Sequence, residues 1–360
     1  MNQKVYSKFH LILSTFLSYI ISPYYIFFNL FRKKYYLDNL KIKKILVLEY
    51  HRIGDVIIIL PILKSIKKKY PNSELILVCC RDSYELIKHF NIVDKAIPVV
   101  MPWTNWDFSF NKWLDVLFLI KKIKKQKIDL AFDFKGDLRN NWFLWNIKSK
   151  ISMGYNATGG SFFLTNFFDF DHTKHQKYRA ENLVIKAGFS PIPLKKNIKI
   201  NKDGKIVLHL GTSDLRRSWS EKKWIELIDL IFKKFNVAIV KNSLSDNMIK
   251  NLKDNYGKVE IFQGNLVDFK KWLGNQILLI GVDSMAGHLA AELGIPSISI
   301  FGSQNPLLTK PLGENSIVIT PQKKCGHNRT HWRLCFKCMD EINEKYVYNV
   351  ILELMKKLKN

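Results

Sequence analysis

Acidic residues are in short supply: 31 Asp and Glu stand against 57 Lys and Arg, a formal net charge of +26 over 360 residues. That balance argues against cationic partners and favours anionic ones. Arginine is scarce too, at nine of the 57. The Lys residues scatter over many helical stretches, and part of their excess is background in a chain rich in Ile and Asn. No zinc-finger spacing, RNA-recognition motif or basic zipper is present. The expected anion is therefore a lipid headgroup or a phosphorylated acceptor, not nucleic acid.

Cysteine is too sparse for a secreted disulfide framework, with five residues in the chain. Cys79 and Cys80 end an apolar run and read as core. Cys325, Cys335 and Cys338 lie near His327 and His331, but the order C-x9-C-x2-C fits no standard finger, and neither metal nor cofactor is expected. No small-residue cleavage site follows the apolar N-terminus, so a removable signal peptide is not expected. The compartment reads as reducing and cytoplasmic. Solenoid-type repeats are missing as well.

What is present begins with "FHLILSTFLSYIISPYYIFFNLF" (9–31), which holds no Asp, Glu, Lys or Arg. Lys4 and Lys8 precede it; Arg32, Lys33 and Lys34 follow. Its length matches the ~20 residues of a membrane span. Ser14, Thr15, Ser18, Ser22 and Asn29 dilute it, however, and Pro23 is expected to break it in the middle. Basic residues on both sides favour translocating neither end. An interfacial anchor, a true span and a soluble packing helix stay open. Peripheral attachment to the inner-membrane surface is the expectation.

From residue 43 strands and helices alternate, which implies an α/β chain with parallel sheets covered on both faces. Apolar runs at 43–50, 74–80, 95–100 and 128–134 read as strands. Helical patterns separate them at 55–70, 82–90, 111–126 and 137–148. "SPIPLKKNIKINKDG" (190–204) reads as a linker. The alternation restarts at 205–210, with further strands at 237–240, 259–262, 277–282 and 296–302. Helical patterns cover 219–235 and 246–254. The expected organisation is an apolar extension (1–42), an N-terminal domain (43–190), a linker (191–204), a C-terminal domain (205–340) and a terminal helix (341–360). Val347, Ile351, Leu352 and Met355 should lie on or near the buried face of that helix.

Three strand-to-helix loops carry chemistry. In "EYHRIGDV" (49–56), Gly54 permits a tight turn and Asp55 opens a helix, as a cap or as a base for an incoming hydroxyl. In "HLGTSDLRRSW" (209–219), Thr212 and Ser213 supply hydroxyl and backbone donors, while Arg216 and Arg217 supply forked cations suited to a diphosphate. In "GVDSMAGHLAAELGIPSISIFG" (281–302), a helix opens straight after a buried strand. Its first N–H groups have no partner inside the helix, and they sit beside the positive end of the helix dipole. That suits a phosphate. Ala286, Gly287, Ala290 and Ala291 let the helix approach its neighbouring strand, and His288 reads as a structural hydrogen bonder or a functional group.

The order of these stretches resembles the ADP-heptose:lipopolysaccharide heptosyltransferase family, glycosyltransferase family 9. The resemblance runs from residue 43 to the C-terminus and also includes "DLAFDFKGDLRNN" (129–141). It is most specific in the Asp283–Pro296 stretch. It implies the GT-B fold, two facing Rossmann-like domains with an interdomain cleft, and an inverting, metal-independent transfer of heptose from ADP-heptose to a lipopolysaccharide or lipooligosaccharide core acceptor. Asp55 aligns with the family's catalytic base. Thr212 and Ser213 align with its phosphate-loop hydroxyl residues, and Arg217 takes the place of a phosphate-binding Lys. Asp283 aligns with a carboxylate that contacts the donor sugar. The loop of Ser284, Met285, Ala286, Gly287 and His288 aligns with the amides that hold the donor's diphosphate. "MPWTNW" (101–106) lacks the family's acceptor-side Arg cluster, which leaves Lys135 and Arg139 as acceptor-binding candidates. "KNSLSD" (241–246) stands where the family has a Gly-rich nucleotide loop. The rival readings are a related transferase for another nucleotide sugar and a non-catalytic, membrane-associated glycolipid binder.

Overall fold

"KILVLE" (44–49) holds no small or turn-forming residue, and it forms the strand that the first sheet is built around. A strand covered by helices on both faces reads as a continuous apolar run; here all but its first residue are buried. The computed structural model describes residues 8–104, 109–190, 193, 201, 203–241, 246–257, 259–302, 304–322, 335 and 337–359. The chain divides into two compact units, Met1–Ile192 and Pro193–Asn360. Cys325, His327 and His331 lie outside the described residues, as do most of the linker and residues 242–245 of the nucleotide-loop position.

Unit 1 opens with α1 (Lys8–Leu30), then β1 (Lys44–Glu49), α2 (Ile53–Ile58), α3 (Leu60–Lys69), β2 (Glu74–Cys80), α4 (Tyr84–Phe90) and β3 (Lys95–Val99). It continues through α5 (Phe110–Lys124), β4 (Leu130–Asp133), α6 (Leu138–Ile147), β5 (Ile151–Tyr155), β6 (Asn166–Phe168) and α7 (Gln176–Lys186). The six strands are parallel in the order β3-β2-β1-β4-β5-β6. This is the Rossmann order, in which the chain reverses its direction of travel across the sheet between β1 and β4.

Pro23 does not break α1. The proline lacks the N–H that would bond the Tyr19 carbonyl, and the Ser22 hydroxyl donates to that carbonyl instead, at 3.1 Å. The helix therefore runs through the proline. It is long and apolar enough to cross a membrane by length and composition. The expected single helix over 55–70 is two, α2 and α3, divided at Ile59 with Pro61 in the first turn of the second. Gly54 makes no tight turn: it is the second residue of α2 and is not one of the left-handed glycines.

Unit 2 repeats the pattern with β7 (Ile206–His209), α8 (Glu221–Phe232), β8 (Val237–Val240), α9 (Asp246–Asn255), β9 (Glu260–Phe262), α10 (Leu266–Leu273) and β10 (Leu278–Val282). It closes with α11 (Met285–Leu293), β11 (Ser297–Ile300), α12 (Pro306–Thr309), β12 (Ser316–Ile319), α13 (Lys337–Asp340) and α14 (Glu344–Lys359). Its parallel order, β12-β11-β10-β7-β8-β9, is the same Rossmann order read from the other edge. The helix expected from Trp219 starts two residues later, because Ser220 caps it by accepting from the Lys223 N–H at 3.4 Å. The terminal α14 buries Val347, Ile351, Leu354 and Met355 in the core of unit 2, with Leu352 only half-buried.

Candidate active site

In each unit the chemistry sits at the carboxyl ends of the two strands where the topology reverses: β1 and β4 in unit 1, β7 and β10 in unit 2. Ligands of open parallel sheets bind at such points.

In unit 1, Glu49 ends β1 and is fully buried. A buried carboxylate needs a charged partner. Lys135 supplies it, with Nζ 3.3 Å from Oε2, and the His51 ring nitrogen Nδ1 lies 3.2 Å from Oε1. Lys135 follows β4, which pairs with β1 in register. Its ammonium also reaches Asp55 Oδ1 at 3.2 Å. Gln176, the first residue of α7, donates to the same oxygen at 2.8 Å. Asp55 is not a helix cap: it is the third residue of α2, and Arg52 holds the N-cap position.

Burial would push the Asp55 carboxyl up. Lys135, His51 and the hydrogen bonds from Gln176 and Lys135 outweigh it and bring the pKa down to about 2. Burial likewise opposes charge on Lys135, but Asp55 and Glu49 raise it above the usual Lys value. Both groups are charged at neutral pH. The Asp55 side chain is 19% exposed and that of Lys135 15%, so a solute can reach the carboxylate.

A second buried chain lies beside the first. Trp103 Nε1 donates to the Tyr50 hydroxyl at 3.0 Å, and that hydroxyl donates to Asn140 Oδ1. Asn140 donates in turn to Asp133 Oδ1 at 2.8 Å, and the Gly136 N–H donates to Oδ2 at 2.6 Å. Burial dominates at Asp133: its pKa rises to about 6 despite those donors and the nearby His51. Arg139 does not join Asp55. Its fork is held by Asp137, through Nε and NH2 at 2.7 Å each. The two basic residues expected on the acceptor side thus part company. Lys135 faces two carboxylates, and Arg139 is anchored at the start of α6, 35% exposed.

In unit 2, β7 and β10 pair in register with Gly281 opposite His209. The loops that follow them meet. Arg217 NH1 lies 3.4 Å from Asp283 Oδ2, and the Thr212 hydroxyl lies within 3.5 Å of the Asp283 carbonyl. Ser213 is exposed on the same loop. Arg216 does not pair with Arg217 toward a common anion, because Asp214 holds it at 2.9 and 2.7 Å.

Ser284 is the N-cap of α11 in extended conformation, and its side chain makes no capping bond. The first N–H groups of the helix, from Met285 to Gly287, therefore lie outside the helical ladder. Ala286, Gly287, His288, Ala290 and Ala291 are buried, and α11 packs on β10 and β11. Gly287 is where the approach is closest: a Cβ there would lie 2.8 Å from Pro311 Cγ and 2.8 Å from Ser299 Oγ. His209, half-buried at the end of β7, has its pKa lowered to about 4 by desolvation, so it is neutral.

Glu49, His51 and Gln176 join the site with no local sequence signal that marks them. Among the described residues no cluster of His, Cys, Asp and Glu is arranged to hold a metal ion.

The model of glycosyltransferase family 9 (heptosyltransferase) matches residues 172–335. Lipopolysaccharide heptosyltransferase 3 of Escherichia coli K12 is 20% identical over 307 residues, covering 75% of this chain and 85% of that protein. Lipopolysaccharide heptosyltransferase 1 of Campylobacter coli is 23% identical over 345 residues, covering 86% and 98%. The crystal structure of E. coli heptosyltransferase WaaC with ADP superposes with a TM-score of 0.70 at 19% identity, over 86% of this chain and 99% of that one. That likeness shows the same GT-B fold. With two Rossmann-type units, a family model matched over residues 172–335 and these relatives, the chain resembles the heptosyltransferases of glycosyltransferase family 9.

Proposed function

We propose that the chain transfers heptose from ADP-heptose to the core saccharide of a lipopolysaccharide or lipooligosaccharide acceptor, with inversion at the anomeric carbon. The observation that carries this reading is the ionised, solvent-reachable Asp55 carboxylate, held between Lys135 and Gln176 at the reversal point of unit 1. Relatives named as lipopolysaccharide heptosyltransferases, and a solved neighbour bound to ADP-2-deoxy-2-fluoro heptose, support the donor and acceptor classes.

The acceptor hydroxyl gives its proton to Asp55 as its oxygen attacks the anomeric carbon. The bond from that carbon to the diphosphate oxygen breaks, and ADP leaves with the bonding pair. A carboxylate with a pKa of about 2 is a weak base toward a free hydroxyl. The proton therefore moves late, once the forming C–O bond has made the hydroxyl acidic. Charge developing on the leaving diphosphate is met by the N–H groups of Ser284–His288 and by the Arg217 guanidinium, donors already in place before the reaction. Thr212 and Ser213 add hydroxyl donors, and Asp283 orients Arg217 and the sugar. Arg139 serves the acceptor side, whereas Lys135 serves the base.

The test is Asp55→Asn, assayed for ADP release and for saccharide transfer. Transfer is expected to vanish while ADP still raises the melting temperature as it does in the parent. Wild-type turnover in that variant refutes the base assignment. Screening ADP, UDP and GDP by thermal shift tests the nucleotide, since a ligand at ~100 times its Kd adds about 2.7 kcal/mol. A larger shift with UDP or GDP reassigns the donor.

A further inference from the structure

The transferase reading leaves α1 unused, and its surface is unlike that of any other described helix. Ser18, Tyr25, Asn29 and Arg32 recur at helical spacing and form one stripe that is pinned to unit 1. Ser18 packs on Gly159, where a Cβ would collide with its hydroxyl. Tyr25 meets the rings of Trp145 and Phe163 at 4.8 and 4.6 Å. Asn29 donates to the Phe162 carbonyl at 2.6 Å and accepts from Trp145 Nε1 at 3.0 Å. Arg32, just beyond the helix, donates to the Ser149 carbonyl at 2.7 Å.

The attachments thus extend from the loop after β5 (Gly159) to the connection between α6 and β5 (Ser149), so α1 lies along the body for more than half its length. The opposite face is Phe9, Phe16, Ile20, Phe27 and Phe31, all exposed, with Phe9 at 70% and Phe31 at 76%. A second apolar stripe stands on α5. Its sheet-facing side buries Val116, Ile120 and Ile123, while Phe110, Leu117 and Phe118 are exposed. Both helices touch α6, α1 through Trp145. Basic residues collar both stripes: Lys33 and Lys34 after α1, and Lys121, Lys122 and Lys124 in the last turn of α5.

We infer that unit 1 binds the surface of an anionic phospholipid bilayer through the outer faces of α1 and α5, with α1 lying in the interface and not crossing it. A helix fastened to a folded domain along one side cannot thread a bilayer, but it can sink its free face to the headgroup–acyl boundary. The aromatic and aliphatic side chains supply the buried area, and the Lys collar supplies attraction to negative lipid. The inference is independent of the donor and acceptor, since it is read by lipid binding alone.

The experiment is flotation of the full chain with vesicles of phosphatidylcholine, with or without phosphatidylglycerol. At least tenfold tighter binding to the anionic vesicles is expected, with release at alkaline pH in carbonate. The triple variant Phe16→Ser/Ile20→Ser/Phe27→Ser should lose at least tenfold in binding, and Leu117→Ser/Phe118→Ser a smaller factor. Lys121→Glu/Lys122→Glu leaves both apolar faces intact and should lower only the anionic-vesicle binding. Resistance to carbonate extraction would overturn the in-plane placement. Undiminished binding in the α1 triple variant would overturn the docking face. So would a concentration-dependent dimer of the parent that the triple variant dissolves without change in lipid binding, because the face would then belong to a second copy.

Discussion

The Lys135 ammonium lies 3.2 Å from the Asp55 carboxylate, with Glu49 at 3.3 Å on its other side. This cation keeps Asp55 ionised in a pocket whose burial alone would favour the neutral acid. Lys135→Met should leave burial in command and raise the Asp55 pKa from about 2 to above the ordinary carboxylate range. The acid limb of kcat/KM against pH should then move up into the measurable range, while Lys135→Arg, which keeps the charge, holds it low. An unmoved acid limb in Lys135→Met, with Asp55→Asn still inactive, would refute the positioning role and leave the base intact.

Asp133 gives the opposite pH dependence. Its folded pKa, about 6, stands above the ~3.9 of an unfolded Asp. Its stabilising contribution is therefore full below pH ~4 and is lost as pH rises through 6, by about 3 kcal/mol in all. Asp133→Asn cannot ionise and lacks this dependence. The unfolding free energy of the parent relative to Asp133→Asn should fall between pH 4 and pH 7, as measured by urea titration. A difference that is constant with pH would show that Asp133 titrates normally.

Both Rossmann units are legible in the sequence because their central strands are buried on two faces and read as unbroken apolar runs, as in "KILVLE" and "LLIGV". β5 reads "ISMGY", interrupted by Ser and Gly, and β6 and β12 are three and four residues long. No periodicity can be established over so few positions. The loops at the reversal points are legible too, since Asp, Ser and Gly after an apolar run have few other uses. Glu49 is not. Its burial depends on Lys135, 86 positions away, and nothing local distinguishes it from a solvated strand end. Gln176 is hidden in the same way, its partner Asp55 being 121 positions distant. Pro23 misled for a local reason: the preceding Ser supplies the donor that the proline lacks.

Arg217 stands 3.4 Å from Asp283 Oδ2, and the Asp283 side chain is only 8% exposed. In the proposed reaction the donor diphosphate would be a second anion at the same guanidinium. Arg217→Ala should lower kcat by ~10²–10³-fold, the usual effect of removing one preorganised donor to developing charge, and weaken ADP binding as well. Arg217→Lys keeps the charge but loses the fork, so it should fall between the two. Unchanged turnover in Arg217→Ala would place the diphosphate elsewhere.

Gly287 tests whether the packing of α11 sets the position of the amide cradle. A methyl group there would stand 2.8 Å from Pro311 Cγ and from Ser299 Oγ. The serine hydroxyl can rotate away, but the proline ring cannot, so the helix must shift away from Pro311. Gly287→Ala is expected to cost about 1–3 kcal/mol of stability, as overpacking does, and to weaken ADP binding because the first N–H groups move with the helix. Gly257→Ala is the control: the nearest atom to its Cβ would be the Lys253 carbonyl oxygen at 3.9 Å, so its effect should stay within about 0.5 kcal/mol. Urea titration gives the stabilities and ADP-induced thermal shift the affinity. If Gly287→Ala is destabilised but binds ADP as the parent does, the close packing serves the core of unit 2 and not the cradle.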